Sequence, residues 1–164
     1  MSDYPKRRPM RLPSYDYSEA GDYFLTACTK GRKPILSSVG RDDLGAPCVT
    51  LTRYGTIAEK FILTIPKTYD NVFLEKYVIM PNHIHLLLRL ADTHVDGAPG
   101  SSRPTQMVPR IISALKRLSN QAAGKNLWQT SYYDHVVRNE SDHLRIWDYI
   151  DTNPAKWQED EYYE

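Results

Sequence analysis

What the sequence lacks narrows it first. Only two cysteines occur in 164 residues, Cys28 and Cys48. That is too few for a disulfide scaffold, and they form no CxxC pair, so a reducing compartment is the expectation. No apolar run approaches the ~20 residues of a bilayer crossing, so no membrane partner is expected. No cleavable signal opens the chain, where Met1 is followed by SDYPKRR, and the expected location is the cytoplasm. Repeats and low-complexity tracts are missing. A net charge of +1 excludes a broadly cationic coat. What is present is 41% hydrophobic and 25% charged residues, with alternating apolar runs that exclude global disorder. The length suits one domain with one core. We expect a single domain over residues 1–164, with a basic and aromatic arm at 1–20 and an acidic tail at 158–164.

The near-neutral total hides an uneven distribution. Residues 100–130 contain Arg103, Arg110, Lys116, Arg117 and Lys125 and no acid, and the arm adds Lys6, Arg7, Arg8 and Arg11. From residue 139 onward the sign flips, with Glu140, Asp142, Asp148, Asp151, Glu159, Asp160, Glu161 and Glu164 against Arg145 and Lys156. A basic middle steers polyanions, but the same run also suits a solvated helix face.

The segment YFLTACT at 23–29 is β-branched and aromatic and predicts a first strand. A turn-rich stretch follows, with room for a short hairpin. Helical spacing of Ile57, Phe61, Ile62 and Ile65 predicts a helix over about 56–64, closed by Pro66. The runs VFLEKYVIM and HIHLLLRL, parted by Pro81-Asn82, predict an antiparallel hairpin. After a polar loop at 91–104, Val108, Ile111, Ile112, Leu115 and Leu118 stripe a helix over about 105–123, which Gly124 ends. YYDHVVR at 132–138 predicts a last strand. Ser141 is then placed to cap a final helix, which runs to about residue 152 and stops at Asn153-Pro154. The order is β-α-β-β-α-β plus one helix. It predicts an α+β, ferredoxin-like (split βαβ) antiparallel sheet with two helices on one face. The additional C-terminal helix, which carries Tyr149, is available for the other face.

Two constellations carry chemistry. In a strand, His83 and His85 point the same way, about 6–7 Å apart, while Ile84, Leu86, Leu88 and Leu90 point toward the helices. Two such imidazoles can converge on one metal ion, or can be a hydrogen-bonded pair on a half-buried strand. On the final helix Ile146, Tyr149, Ile150 and Asn153 share a stripe, so a phenol and an amide oxygen lie one turn apart. That is equally a core tyrosine and an asparagine that ends its helix before proline.

The blocks RLPSYDYSEAGDYFLTACTKGRKPIL, YGTIAEKFI, YVIMPNHIHLLL and YYDHVVRNESDHLRIWDYIDTNPAKW, in that order over about residues 7–157, resemble the HUH single-tyrosine transposases. The closer likeness is to the REP-associated tyrosine transposases of bacterial chromosomes. Ile84 stands where that motif has its middle hydrophobic residue. The resemblance implies that His83 and His85 are metal ligands, Tyr149 is the nucleophile, and Asn153 completes the metal site. The implied cofactor is Mg²⁺ or Mn²⁺. The implied reaction is transesterification of single-stranded DNA through a 5′-phosphotyrosine, at hairpin or palindromic DNA, and the implied setting is the bacterial nucleoid. Monomers and helix-swapped homodimers both occur among such enzymes.

Expected phosphate contacts are Arg7, Arg8, Arg11, Arg103, Arg110, Lys116 and Arg117, with His135 and Arg138 near the site. Those last two lie on opposite faces of one strand, so at most one faces it. Tyr15, Tyr17, Trp128, Tyr132 and Tyr133 are candidates for base stacking. No general base is identifiable. The alternatives are a catalytically retired hairpin-DNA binder, and a zinc hydrolase taking a third imidazole from His94, His135 or His143.

Overall fold

The computed structural model describes residues 20–92 and 107–163. Strand β1 spans Gly21–Cys28, and a hairpin of β2 (Ser37–Arg41) and β3 (Pro47–Leu51) precedes helix α1, Arg53–Thr68. Strands β4 (Val72–Ile79) and β5 (His83–Leu90) lead to α2 (Met107–Ala123), β6 (Tyr133–Val136) and α3 (Glu140–Thr152). The main sheet is four-stranded and antiparallel, in the order β4-β5-β1-β6. This is the split βαβ arrangement with the β2-β3 hairpin inserted after β1.

Alternation along β1 and β5 divides the sheet into two faces. Tyr23, Leu25 and Ala27 join Ile84, Leu86, Leu88 and Leu90 under Ala58, Ile62 and Ile65 of α1 and Val108, Ile111, Ile112 and Leu115 of α2. Each fully buried aliphatic side chain here contributes roughly 1.5–3 kcal/mol, so this face holds most of the hydrophobic stabilisation. The other face receives α3.

Four local details differ from the sequence expectation. Helix α1 begins earlier, because Thr52 caps it by accepting from the Tyr54 and Gly55 amides. It also runs past Pro66, which sits in the last turn and removes a single ladder donor there. Gly55 is obligatory for the approach of this helix to the inserted hairpin, since a Cβ would lie 2.0 Å from the Leu36 carbonyl oxygen. Helix α3 is capped by Asn139, not Ser141, through a 2.9 Å bond from the Asp142 amide to Asn139 Oδ1. Strand β6 stops at Val136, so Arg138 lies in the turn beyond it. Among the described residues, no helix is long and apolar enough to cross a membrane.

Candidate active site

The second sheet face gathers the residues that carry chemistry. His83, His85, Leu87 and Arg89 of β5 stand beside Cys28, Thr26, Phe24 and Asp22 of β1, with Tyr133 and His135 of β6 beyond. Helix α3 seats Ile146 and Ile150 on Phe24 and Leu87. Polar links hold both of its ends. Asp142 pairs with His135 at 2.7 Å and His143 with Asp22 at 2.8 Å. Lys76 of β4 reaches Asp151 at 2.8 Å, with its ammonium 4.3 Å from the Trp147 ring centre.

The two imidazoles are buried, and their Nε2 atoms face each other at 3.1 Å. Asn82 fixes the first ring. Its Nδ2 donates to the carbonyls of Tyr162 (2.6 Å) and Arg32 (3.3 Å), so its Oδ1 must accept from His83 Nδ1 at 2.8 Å. His83 therefore presents a bare Nε2. The Nδ1 of His85 pairs with the Thr26 hydroxyl at 2.8 Å, a partner able to donate or accept. That hydroxyl lets His85 carry its proton on either nitrogen, and with Nδ1 protonated both Nε2 lone pairs converge. Burial pushes the His83 pKa down, against the opposing pull of Asp160 and Asn153. It pushes His85 well down too, and His83 lowers it further. Neutral imidazoles are the form that binds metal.

Helix α3 brings Tyr149 to within 5.2 Å of His85, ring centre to ring centre, and edge-on to Phe24 at 6.0 Å. Tyr149 is 37% exposed. Burial, then the carboxylates of Asp160 and Glu161, push its pKa up to about 12, with Asn153 opposing. One turn on, Asn153 is 3% exposed and donates from Nδ2 to Asp160 at 2.6 Å, while its buried Oδ1 has no hydrogen-bond partner. An orphaned carbonyl oxygen costs about 1–3 kcal/mol, and a cation at this position would satisfy it.

Asp160 is the ligand candidate that sequence reasoning missed. One ligand atom each from His83, His85 and Asp160 lie within 4.8 Å of one another. The chain returns after α3, setting the Tyr162 ring 4.5 Å and the Trp157 ring 5.9 Å from His83. Two imidazoles, a carboxylate and an amide oxygen form a donor set that suits Mn²⁺ or Mg²⁺. Among the described residues a third imidazole is not at hand, because His135 and His143 are paired with Asp142 and Asp22; His94 lies outside them.

Tyr149 separates two cavities. One of about 400 Å³ is bordered by Thr26, His85, Tyr133, His135 and Arg145. The other, about 810 Å³, runs along α3 past Asn153 and Lys156. Arg145 borders both, a cation that the basic-segment reading did not include. Of the two residues expected near the site, His135 lines the first cavity, while Arg138 sits at the far end of the face beside Asp22 and His143.

The other expected DNA contacts divide. Arg7, Arg8, Arg11 and Arg103 lie outside the described residues, as do Tyr15 and Tyr17. Arg110 and Arg117 are exposed on α2, behind the sheet from the histidines. Lys116 is engaged elsewhere. Its ammonium donates to the carbonyls of Gln129 (2.7 Å), Ser131 (2.8 Å) and Thr130 (3.4 Å), and burial lowers its pKa to about 8. Trp128 and Tyr132 belong to the core under α1 and α2, with Trp128 Nε1 donating to Ser119 at 2.7 Å, so neither stacks a base. Tyr133 is exposed at the sheet edge.

No family model matches the chain. It is 31% identical over 142 residues to the REP-associated tyrosine transposase of Escherichia coli K12, covering 85% of this chain and 70% of that protein. An uncharacterized protein of Haemophilus influenzae is 30% identical over 173 residues, covering 96% of this chain and 93% of its own length. Among solved structures, a REP-associated tyrosine transposase bound to a REP hairpin shares the fold, with a TM-score of 0.59 and 23% identity over 96% of this chain and 74% of that one.

Proposed function

The chain belongs to the REP-associated tyrosine transposases, and from that membership and the site's geometry we propose a metal-dependent single-stranded DNA transesterase that nicks and rejoins through a 5′-phosphotyrosine. The observation that carries the reading is the pair of neutral, buried imidazoles with facing Nε2 atoms, placed beside a partly exposed tyrosine and the orphaned oxygen of Asn153. His83 and His85 through Nε2, Asn153 through Oδ1 and the Asp160 carboxylate are the residues that would hold the ion. When bound, Mg²⁺ or Mn²⁺ supplies Lewis-acid stabilisation of charge on the scissile phosphate.

The chain's own residues do the rest. The Tyr149 oxygen forms a bond to phosphorus while the bond from phosphorus to the 3′ oxygen breaks. The phenol proton leaves, and the departing oxygen gains one as a 3′-hydroxyl. Storing the bond as a phosphotyrosine allows later rejoining. With a pKa near 12 the phenol is protonated at neutral pH, so its deprotonation belongs to the reaction rather than to the resting site. Asn82 and Thr26 orient the two imidazoles. Arg145, exposed between the cavities, is positioned for a phosphate oxygen, and Tyr133 and His135 border the space for the adjoining nucleotide. Arg110 and Arg117 would serve DNA passing behind the sheet. Lys116, held by carbonyls, is not among the contacts. One chain supplies every named residue, so a monomer is sufficient. The hairpin in the related structure suggests hairpin DNA with a single-stranded flank as substrate.

The test is incubation of labelled hairpin DNA carrying such a flank with protein and Mn²⁺, followed by denaturing electrophoresis. The wild type should give a covalent adduct, and Tyr149→Phe, which keeps the ring volume, should give none while still binding DNA. An adduct at wild-type yield from the Phe variant would place the nucleophile elsewhere.

A further inference from the structure

The turn after β1 and the connection between α2 and β6 enclose a groove of about 390 Å³ at the end of the sheet nearest the histidines. Lys30, Lys33 and Lys125 line it together with Gly31, Ile35, Asn126 and Leu127, and no carboxylate does. The two walls are tied together by the Lys30 amide, which donates to the Leu127 carbonyl at 2.8 Å. Lys30 and Lys33 are exposed and make no ion pair among the described residues, and Lys125 lies 4.0 Å from the Tyr54 ring centre. Three ammonium groups around one concavity in a chain of net charge +1 are not a solvated average face.

The groove is joined to the catalytic residues. Gly31 and Arg32 both have left-handed backbones, with φ of 66° and 53°. For arginine that conformation is costly, and it persists where the surroundings impose it. Here Thr29 and Asn82 impose it. The Thr29 carbonyl accepts from the Arg32 amide, the Thr29 hydroxyl donates to the Lys33 carbonyl, and Asn82 donates to the Arg32 carbonyl while orienting His83. The result aims the Arg32 guanidinium toward the site, 5.5 Å from the centre of the Tyr162 ring that faces His83. Cations thus run from the groove, through Arg32, to the metal-ligand candidates.

We infer that this groove carries the phosphate backbone of the single-stranded DNA flank as it runs from the cleavage position, with Lys30 and Lys33 as direct phosphate contacts. The inference rests on the transesterase reading for the identity of the polyanion. It differs from the expectation that the segment 103–125 and the arm with Arg7, Arg8 and Arg11 supply the contacts, because among the described residues of that segment only Lys125 lines the groove.

The measurement is binding of a hairpin oligonucleotide with a single-stranded flank over a range of salt concentrations. Each phosphate contact to a single strand contributes about 0.7 to the slope of log K against log salt, so Lys30→Gln with Lys33→Gln should lower the slope by roughly 1.4 and weaken binding most at low salt. Arg at both positions should restore it. Lys60→Gln with Lys67→Gln, an equal charge change on exposed α1 positions, should leave the slope alone. An unchanged slope in the groove variant, or an equal drop in the α1 variant, overturns the inference. Failure of the transesterase reading looks different: the wild-type protein binds with the groove-dependent slope but forms no covalent adduct.

Discussion

The two faces of one sheet are built on opposite terms. Beneath α1 and α2 lies a cluster of twenty buried apolar residues among those described, whereas the cluster beneath α3 has four, Phe24, Leu87, Ile146 and Ile150. On the first face the β1 and β5 residues are apolar or aromatic. On the second they alternate with His83, His85, Thr26 and Asp22, and α3 is held at its ends by two histidine–carboxylate hydrogen bonds, the Lys76–Asp151 ion pair and a lysine–tryptophan contact. Stability and chemistry are therefore separated by the pleat of β5, whose side chains alternate between the two faces from His83 to Leu90. The buried imidazoles and the Thr26 hydroxyl are tolerated on the second face because each has a hydrogen-bond partner, whereas the buried Asn153 oxygen has none. A thin apolar seam also leaves room for cavities on both sides of Tyr149, which a full hydrophobic layer would fill.

The sharpest break in the comparison is His85→Ala. It removes a buried imidazole from the chemical face and nothing from the apolar one, so the fold should persist while the thermal unfolding midpoint falls, because a cavity opens and the Thr26 hydroxyl loses its partner. Covalent adduct formation should vanish, and Mn²⁺ affinity should fall by more than the roughly 10–100-fold seen when only an outer-shell partner is lost. Calorimetric titration of Mn²⁺ checks this. Unchanged Mn²⁺ binding would remove the metal site, and a collapsed fold would make the pair structural.

Next comes the contrast between adjacent leucines, both fully buried. Leu86→Ala opens a hole in the large cluster and should cost about 2–5 kcal/mol in denaturant unfolding. Leu87→Ala opens one in the small seam, where α3 can settle, and should fall at the low end of that range. The effect on adduct yield should be reversed, since Leu87 supports the helix that carries Tyr149. Equal stability losses would erase the division between faces.

Much of this division was legible in sequence because it depends on the period of two. His-Ile-His-Leu-Leu-Leu-Arg-Leu assigns faces without knowledge of the neighbours, and the order of apolar runs gave the split βαβ arrangement. The errors arose where a local signal met a distant partner. Pro66 reads as a stop, but a proline in a last turn removes little. Ser141 reads as a cap, but Asn139 reaches the Asp142 amide first. Lys116 carries the charge of a DNA contact, yet its fate is set by three carbonyls 13 to 15 residues away. Asp160 and Tyr162 lie in the acidic tail, whose charge repels phosphate and so reads as remote from a DNA-cleaving site. The same negative charge suits a cation, and only the return of the chain over His83 reveals it.

The smallest expected effect tests the polar links of α3. Asp142 accepts from Arg145, from His135 and from the Arg138 amide. Burial acts to raise its pKa, but the Arg145 hydrogen bond, with His135 and the Arg138 amide, outweighs this and brings it to about 2 from an ordinary 3.8. A carboxyl whose folded pKa is depressed stabilises the protein fully above its unfolded pKa, and that contribution is lost as pH falls through the folded value. The window here runs from about pH 4 down to about pH 2. Asp142→Asn cannot ionise, so it should unfold at a lower temperature than wild type at pH 6, with the gap narrowing as pH falls through that window. The gap at pH 6 should stay modest, since Arg145 is largely exposed and water screens that pair. Thermal melts at pH 6, 4 and 2.5 supply the measurement, with His135→Gln as a second variant that removes the most buried partner. A gap that stays constant with pH would mean that the carboxylate charge does not hold the start of α3 to β6. The four-residue seam would then anchor the tyrosine helix by itself.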